Sequence, residues 1–198
     1  MTEIVILVLL VALLAAAAPS FKRWGVRGMV LVAMLAALAS AGRAALQVLP
    51  SVQPASFIII LCGMAMGVGP GLYCGVLTAV ISSFLTSVGP WSVWQALLWG
   101  LMGGLAALVR SWPVWAKSLY GLGWGFVFGW VMNLWYYTMG ILPFTWGTYL
   151  AACVASFPMD LAHGVCNFAL LLALSVGGLK LVDFLLVHGQ SGVEKREE

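Results

Sequence analysis

Residues 43–95 read RAALQVLPSVQPASFIIILCGMAMGVGPGLYCGVLTAVISSFLTSVGPWSVWQ, and they gather polar and helix-breaking residues into otherwise apolar sequence. Pro50 and Pro54 bracket a short polar turn, Leu49-Pro50-Ser51-Val52-Gln53-Pro54. A ladder of glycines follows, and the stretch closes on Gly89-Pro90-Trp91 with Trp94 and Gln95 one turn on. The apolar runs between these breaks are too long for the alternating strands of a barrel, so the stretch reads as helices joined by exposed turns. It reads as one wall of a small-molecule site opening on one side of a membrane.

The whole chain follows the same pattern. Of its 198 residues 63% are hydrophobic and 8% charged, against about 25% charged in an ordinary soluble domain. Such a chain cannot cover itself with polar surface. Six or seven apolar spans of roughly 20 residues use almost the whole length, which leaves no room for a soluble domain. The fold class expected is all-α integral membrane. Cys62, Cys74, Cys153 and Cys166 lie dispersed in apolar spans without zinc-site spacing, so they read as small packing residues.

Ile4 to Ala18 is an uninterrupted apolar run. Glu3 precedes it and Lys22, Arg23 and Arg27 follow, the reverse of a cleaved leader, so it reads as a retained first helix (residues 1–20). Further spans are expected at Gly28–Leu46, Ala55–Val68, Gly71–Val88, Val93–Val109, Ser118–Tyr137 and Met159–Val187. Thr145–Phe157, flanked by Pro143 and Pro158, is too short to cross and reads as a half-helix or structured loop on the outer face. Residues 188–198 form a polar tail.

Alternating these spans puts Lys22, Arg23, Arg27, Arg110, Lys117, Lys180, Lys195 and Arg196 on one side, eight of the nine Lys and Arg, and leaves Arg43 on the other. By the positive-inside bias the N-terminus is outside and the C-terminus inside a bacterial cell membrane. The charges thus report orientation and not nucleic-acid binding. The Pro50/Pro54 turn, the Gly89-Pro90-Trp91 turn and the Pro143–Pro158 stretch all fall on the outer face.

Small residues recur every fourth position at Gly63, Gly67, Gly71, Gly75 and Ala79, and again at Gly121, Gly125 and Gly129. Such faces let helix backbones approach closely where lipid supplies no hydrophobic force between helices. Ala33, Ala37 and Ala41 make a similar face, suited to a sister helix or an external partner.

Polar side chains within the bilayer are costly and mark function. Arg43 and Gln47 share a helix face at i, i+4; they read either as an interfacial anchor with a snorkelling base or as part of the site. Gln53 sits in the turn. Trp91, Trp94, Gln95 and Trp99 wind along the start of one helix, where aromatics serve an interface belt or a ligand platform; the amide of Gln95 favours the platform. Asn133 stands among Trp130, Tyr136 and Tyr137. Asp160, His163 and Asn167, at i, i+3 and i+7 after Pro158, share a face that reads as an N-cap network or as a cavity wall. Together, aromatics to stack on a planar ligand and a few polar groups to orient it make up a small-molecule pocket. The chain has no HExxH, GxSxG, DDxxD or Walker sequence, so neither a catalytic nor a nucleotide site is expected, and no cofactor.

The order of GR after an Ala-rich helix, LPSVQP, a glycine-spaced helix pair, GPWSVWQ and FPMDLAHGVCNF resembles the substrate-binding S component of energy-coupling factor (ECF) vitamin transporters, and most of all the cobalamin-specific group. The resemblance covers roughly Gly28 to Val187 and implies a six-helix binding module, here with an additional N-terminal helix. It implies a vitamin pocket near the outer face roofed by loops, a transmembrane coupling subunit docked on an AxxxA motif, and two cytosolic ATPases that drive uptake. Carried over, the motif falls on Ala33 and Ala37, and the pocket draws on Gln47, Gln53, Trp91, Trp94, Gln95, Asn133, Asp160, His163 and Asn167. The additional helix, Ile4 to Ala18, leaves open whether the Ala33 face is free to dock. The alternatives are a small integral-membrane enzyme using Asp160 and His163, an S component for riboflavin or folate, and a structural subunit.

Overall fold

The computed structural model describes residues 2–49, 51–141 and 143–194, with side chains through Val187; Pro50, the first proline of the polar turn, and the basic pair Lys195 and Arg196 lie outside the described residues. Among these residues the chain forms seven α-helices and no strand: α1 (Thr2–Ala17), α2 (Gly25–Ala45), α3 (Ala55–Met66), α4 (Val68–Leu85), α5 (Trp91–Ala106), α6 (Val114–Thr138) and α7 (Trp146–Glu194). Short 3-10 turns extend α1 at Ala18–Arg23 and α5 at Ala107–Val109. Five helical stretches are long and apolar enough to cross a membrane: Thr2–Arg23, Gly25–Ala45, Val68–Leu85, Trp91–Val109 and Trp146–Val187.

The bundle is built around α3. Its sequence ASFIIILCGMAM is apolar on every side and all of it is buried, as a helix enclosed by its neighbours requires. At 12 residues and 1.5 Å per residue it is about 18 Å long, too short to cross a bilayer alone. The carbonyls at its C-terminal end are satisfied by protein. Arg110 donates to the carbonyls of Met64 and Ala65 at 2.9 and 2.6 Å, and the Trp24 indole donates to that of Met66 at 3.0 Å. The last carbonyls of a helix lack an internal partner, and these three donors let α3 stop inside the protein.

The chain then reverses on one residue. Gly67, at φ +101°, is the whole connection between α3 and α4, in a left-handed backbone region that glycine enters without steric cost. The expected glycine ladder is thereby folded over: Gly63 and Gly71 face each other across the reversal, and both lie against the backbone of Gly103 on α5. Further along, Gly75 packs on the backbone of Trp99 and Gly100. Three helices meet at near backbone contact, which small-residue packing in lipid favours. The second glycine series does the same for α6 against α7, with Gly121 over Asn167 and Leu171, Gly125 over Gly164, and Gly129 over the Asp160 carboxylate.

The expectations for the C-terminal helix change. Thr145–Phe157 is neither a half-helix nor a loop: from Trp146 it belongs to α7, a single 49-residue helix with Pro158 inside it. Packing along α6 carries the helix through the one hydrogen bond that proline removes. Residues 188–194, read as tail, continue this helix. At the other end of the chain α1 lies on α4 and α5, where Ile6 and Leu10 are buried and the Leu14 carbonyl accepts a 2.8 Å hydrogen bond from Tyr73. Ala33 and Ala37 on α2 remain exposed, beside the exposed Met34 and Leu38.

Candidate functional site

Four sequence-distant segments meet at the end of the bundle where α3 begins. They are the connection after α2, the start of α5, the C-terminal half of α6, and α7 one turn either side of Asp160. They enclose a cavity of about 460 Å³ whose lining includes Gln53, Trp91, Gln95, Asn133, Asp160 and His163. A second cavity of about 300 Å³ adjoins it, lined by Arg43, Gln47, Thr86, Ser87 and Trp99, and the two share Ser51, Gln53, Gln95 and Phe128. Drug-sized ligands occupy pockets of about 300–1,000 Å³.

Each polar group on the α7 wall is held in place. Asn133 on α6 donates to Ser156 at 3.0 Å, and Ser156 donates to the Asp160 carboxylate at 2.8 Å. The carboxylate rests against the bare α-carbon of Gly129, so the α6–α7 approach and the placement of the acid have one cause. His163 Nε2 shares a 2.7 Å hydrogen bond with the Ser56 hydroxyl at the start of α3. The imidazole also stands edge-on to Phe128, ring centroids 5.4 Å apart. The roof is tied down by the Cys166 thiol, which donates to the Gln53 carbonyl at 3.6 Å. Ser51 turns that roof with φ +60°, a left-handed conformation uncommon outside glycine.

On the opposite wall Arg43 turns inward. Its guanidinium donates to Ser82 on α4 at 2.7 Å and to the Gln95 side-chain oxygen on α5 at 3.3 Å, and it stacks over the Trp99 ring at 4.9 Å. Trp91 meets Trp135 edge-to-face at 5.5 Å, and Trp99 stacks on Phe128 at 5.7 Å. These aromatic pairs join α5 to α6 beside the cavities.

Of the residues singled out in the sequence, Gln53, Trp91, Gln95, Asn133, Asp160 and His163 line the larger cavity and Gln47 the smaller. Trp94 and Asn167 line neither. Trp94 is buried in helix packing. Asn167, one turn deeper than His163, donates to the Gly121 carbonyl at 3.1 Å and stitches α7 to α6. Lining residues that sequence reasoning passed over include Phe128, Met132, Trp135 and Ser156. Ser156 carried a signal, since i, i+4 spacing puts it on the face of Asp160; Phe128, one of several aromatics in WGFVFGW, carried none. Among the described residues no three His, Cys, Asp or Glu side chains group as metal ligands. No protein-family model, curated protein or solved structure matches this chain.

Proposed function

We propose that the chain is the membrane-embedded substrate-binding subunit of an ECF-type importer, which takes up a vitamin from the outer face and passes it inward when an ATP-driven module engages it. The observation that carries this reading is the convergence of the Gln53 turn, the Trp91 corner and the Asp160–His163 face on one cavity. Aromatic walls with a few oriented polar groups are the composition of a ligand pocket. The basic residues support the orientation: Arg23 and Arg110 lie together at the far end of α3, in a separate cavity with Asp183, an arrangement that by the positive-inside bias favours the Gln53 end outside. The exposed Ala33 and Ala37 face is free for a transmembrane coupling subunit.

Size bears on the solute. Cavities of about 460 and 300 Å³ accept a vitamin with one to three rings as they stand. Cobalamin, the solute the sequence resemblance favours, is larger and would have to span both chambers. Purified protein should bind one of cobalamin, riboflavin, folate, biotin or thiamine without ATP at nanomolar to micromolar affinity; binding of none of them ends the proposal.

One observation favours an enzyme instead: the Ser56–His163 hydrogen bond has the geometry of a nucleophile and its base. Against it, Ser56 is fully buried and lines neither cavity, and Asp160 bonds to Ser156 rather than to His163. Turnover abolished by His163→Ala in a folded protein would favour the enzyme, and lost affinity without chemistry the importer.

A further inference from the structure

Arg43 stands out in the smaller cavity. It is a cation drawn off the membrane interface into the bundle, and every partner it has is neutral: the Ser82 hydroxyl, the Gln95 amide oxygen and the Trp99 ring. The Arg110–Asp183 ion pair lies at the far end of α3, away from Arg43. A guanidinium carries five N–H donors in a fork that matches a carboxylate or phosphate. Two of Arg43's are used. A partly buried charge without a counterion is costly, and the guanidinium fork pairs strongly with a carboxylate or phosphate.

The surroundings repeat the demand. Trp99, fully buried, lines the same cavity, and its indole N–H has no acceptor. Gln95 lines both chambers and gives its oxygen to Arg43, which leaves its amide N–H groups as donors. Gln47, Thr86 and Ser87 add further polar groups, while the acid of the site, Asp160, lines only the neighbouring chamber. A basic residue in the last turn of a helix suits the helix dipole, but that role is served by a side chain pointing into the interface and needs no hydrogen bonds to α4 and α5.

We propose that the Arg43 chamber is an anion subsite, which receives a carboxylate or phosphate of the ligand while its ring system lies over the Trp91 and Phe128 side toward Asp160. The assignment to a transported solute rests on the importer reading above; the anion subsite itself does not. A lipid headgroup phosphate is the other source of the same chemistry.

The test uses the full chain in nanodiscs of zwitterionic lipid at constant ionic strength, comparing wild type with Arg43→Gln. The probes are the same ring systems with and without an anion: pyridoxal phosphate against pyridoxal, biotin against biotinamide, flavin mononucleotide against riboflavin, with inorganic phosphate alone as a fourth. At least one anionic probe should raise the unfolding temperature of wild type by about 2–4 °C, its affinity falling at least about tenfold in Arg43→Gln. Gln47→Glu, which sets a carboxylate one helical turn from Arg43 on an exposed position, should abolish the same effect and decides the matter if Arg43→Gln does not fold. An Arg43-dependent shift that needs phosphatidylglycerol in the disc assigns the anion to lipid. If no anion stabilises wild type beyond its neutral counterpart, or if the variants respond as wild type does, the subsite does not exist. Vitamin binding in which the anionic and neutral members of every pair bind alike in all three proteins would sink the subsite and leave the importer; a phosphate response without vitamin binding would do the reverse.

Discussion

The carboxylate of Asp160 occupies the space that a β-carbon at Gly129 would fill. Gly129→Ala should therefore swing the acid out of line with Ser156 and weaken ligand binding while costing about 1 kcal/mol of stability, since a side-chain end can give way. At Gly125 the neighbour is the backbone of Gly164, which cannot, and Gly125→Ala should cost nearer to 3 kcal/mol. Gly123 and Gly177, with nothing around them, should accept alanine with a gain of up to about 1 kcal/mol. Thermal unfolding of the four variants, with binding measured for Gly129→Ala, checks the order.

Arg110→Ala should destabilise the protein more than Asp183→Ala. The salt bridge at 3.1 Å is nearly half exposed on both sides, 45% and 46%, and such pairs contribute about 0–1 kcal/mol. The bonds from Arg110 to the Met64 and Ala65 carbonyls close the end of a buried helix, and their loss costs about 1–3 kcal/mol. Raising the salt concentration should narrow nothing but the Asp183 contribution.

Ser56→Ala leaves His163 Nε2 without its partner in a buried setting. A loss of about 1 kcal/mol is expected. The ring should also lose its fixed angle to Phe128, so ligand affinity should fall several-fold in Ser56→Ala. Unchanged affinity in isothermal titration would show that His163 does not contact the ligand.

On the importer reading, Ala33→Leu and Ala37→Leu should leave folding and ligand affinity unchanged, because both positions are exposed and remote from the cavities. What should fail is co-purification with the coupling subunit, which needs close helix approach at small residues. Retained co-purification in the double variant would move the docking face elsewhere.

The end-to-end arrangement was legible because alternation is arithmetic: once the spans are counted, Gln53, Trp91 and His163 must share a side. The rotation of each helix was not. Trp94 and Asn167 fall at helical spacing with true lining residues, yet they face the packing seams. Arg43 looks from its own helix like an interfacial base; what turns it inward is Ser82 and Gln95, 39 and 52 residues away. Pro158 reads as a terminator, but its helix is held by the glycine seam with α6 rather than by local propensity. The span around α3 was expected two residues longer; its end is set by Trp24 and Arg110, whose reach no local pattern shows.

Pro158 has no N–H to give, so the carbonyl four residues before it goes unanswered just ahead of Asp160. From Asp160 to Asp183 the shaft of α7 runs without such a gap. The joint of least stiffness in α7 thus sits beside the chamber, within one turn of the acid that lines it.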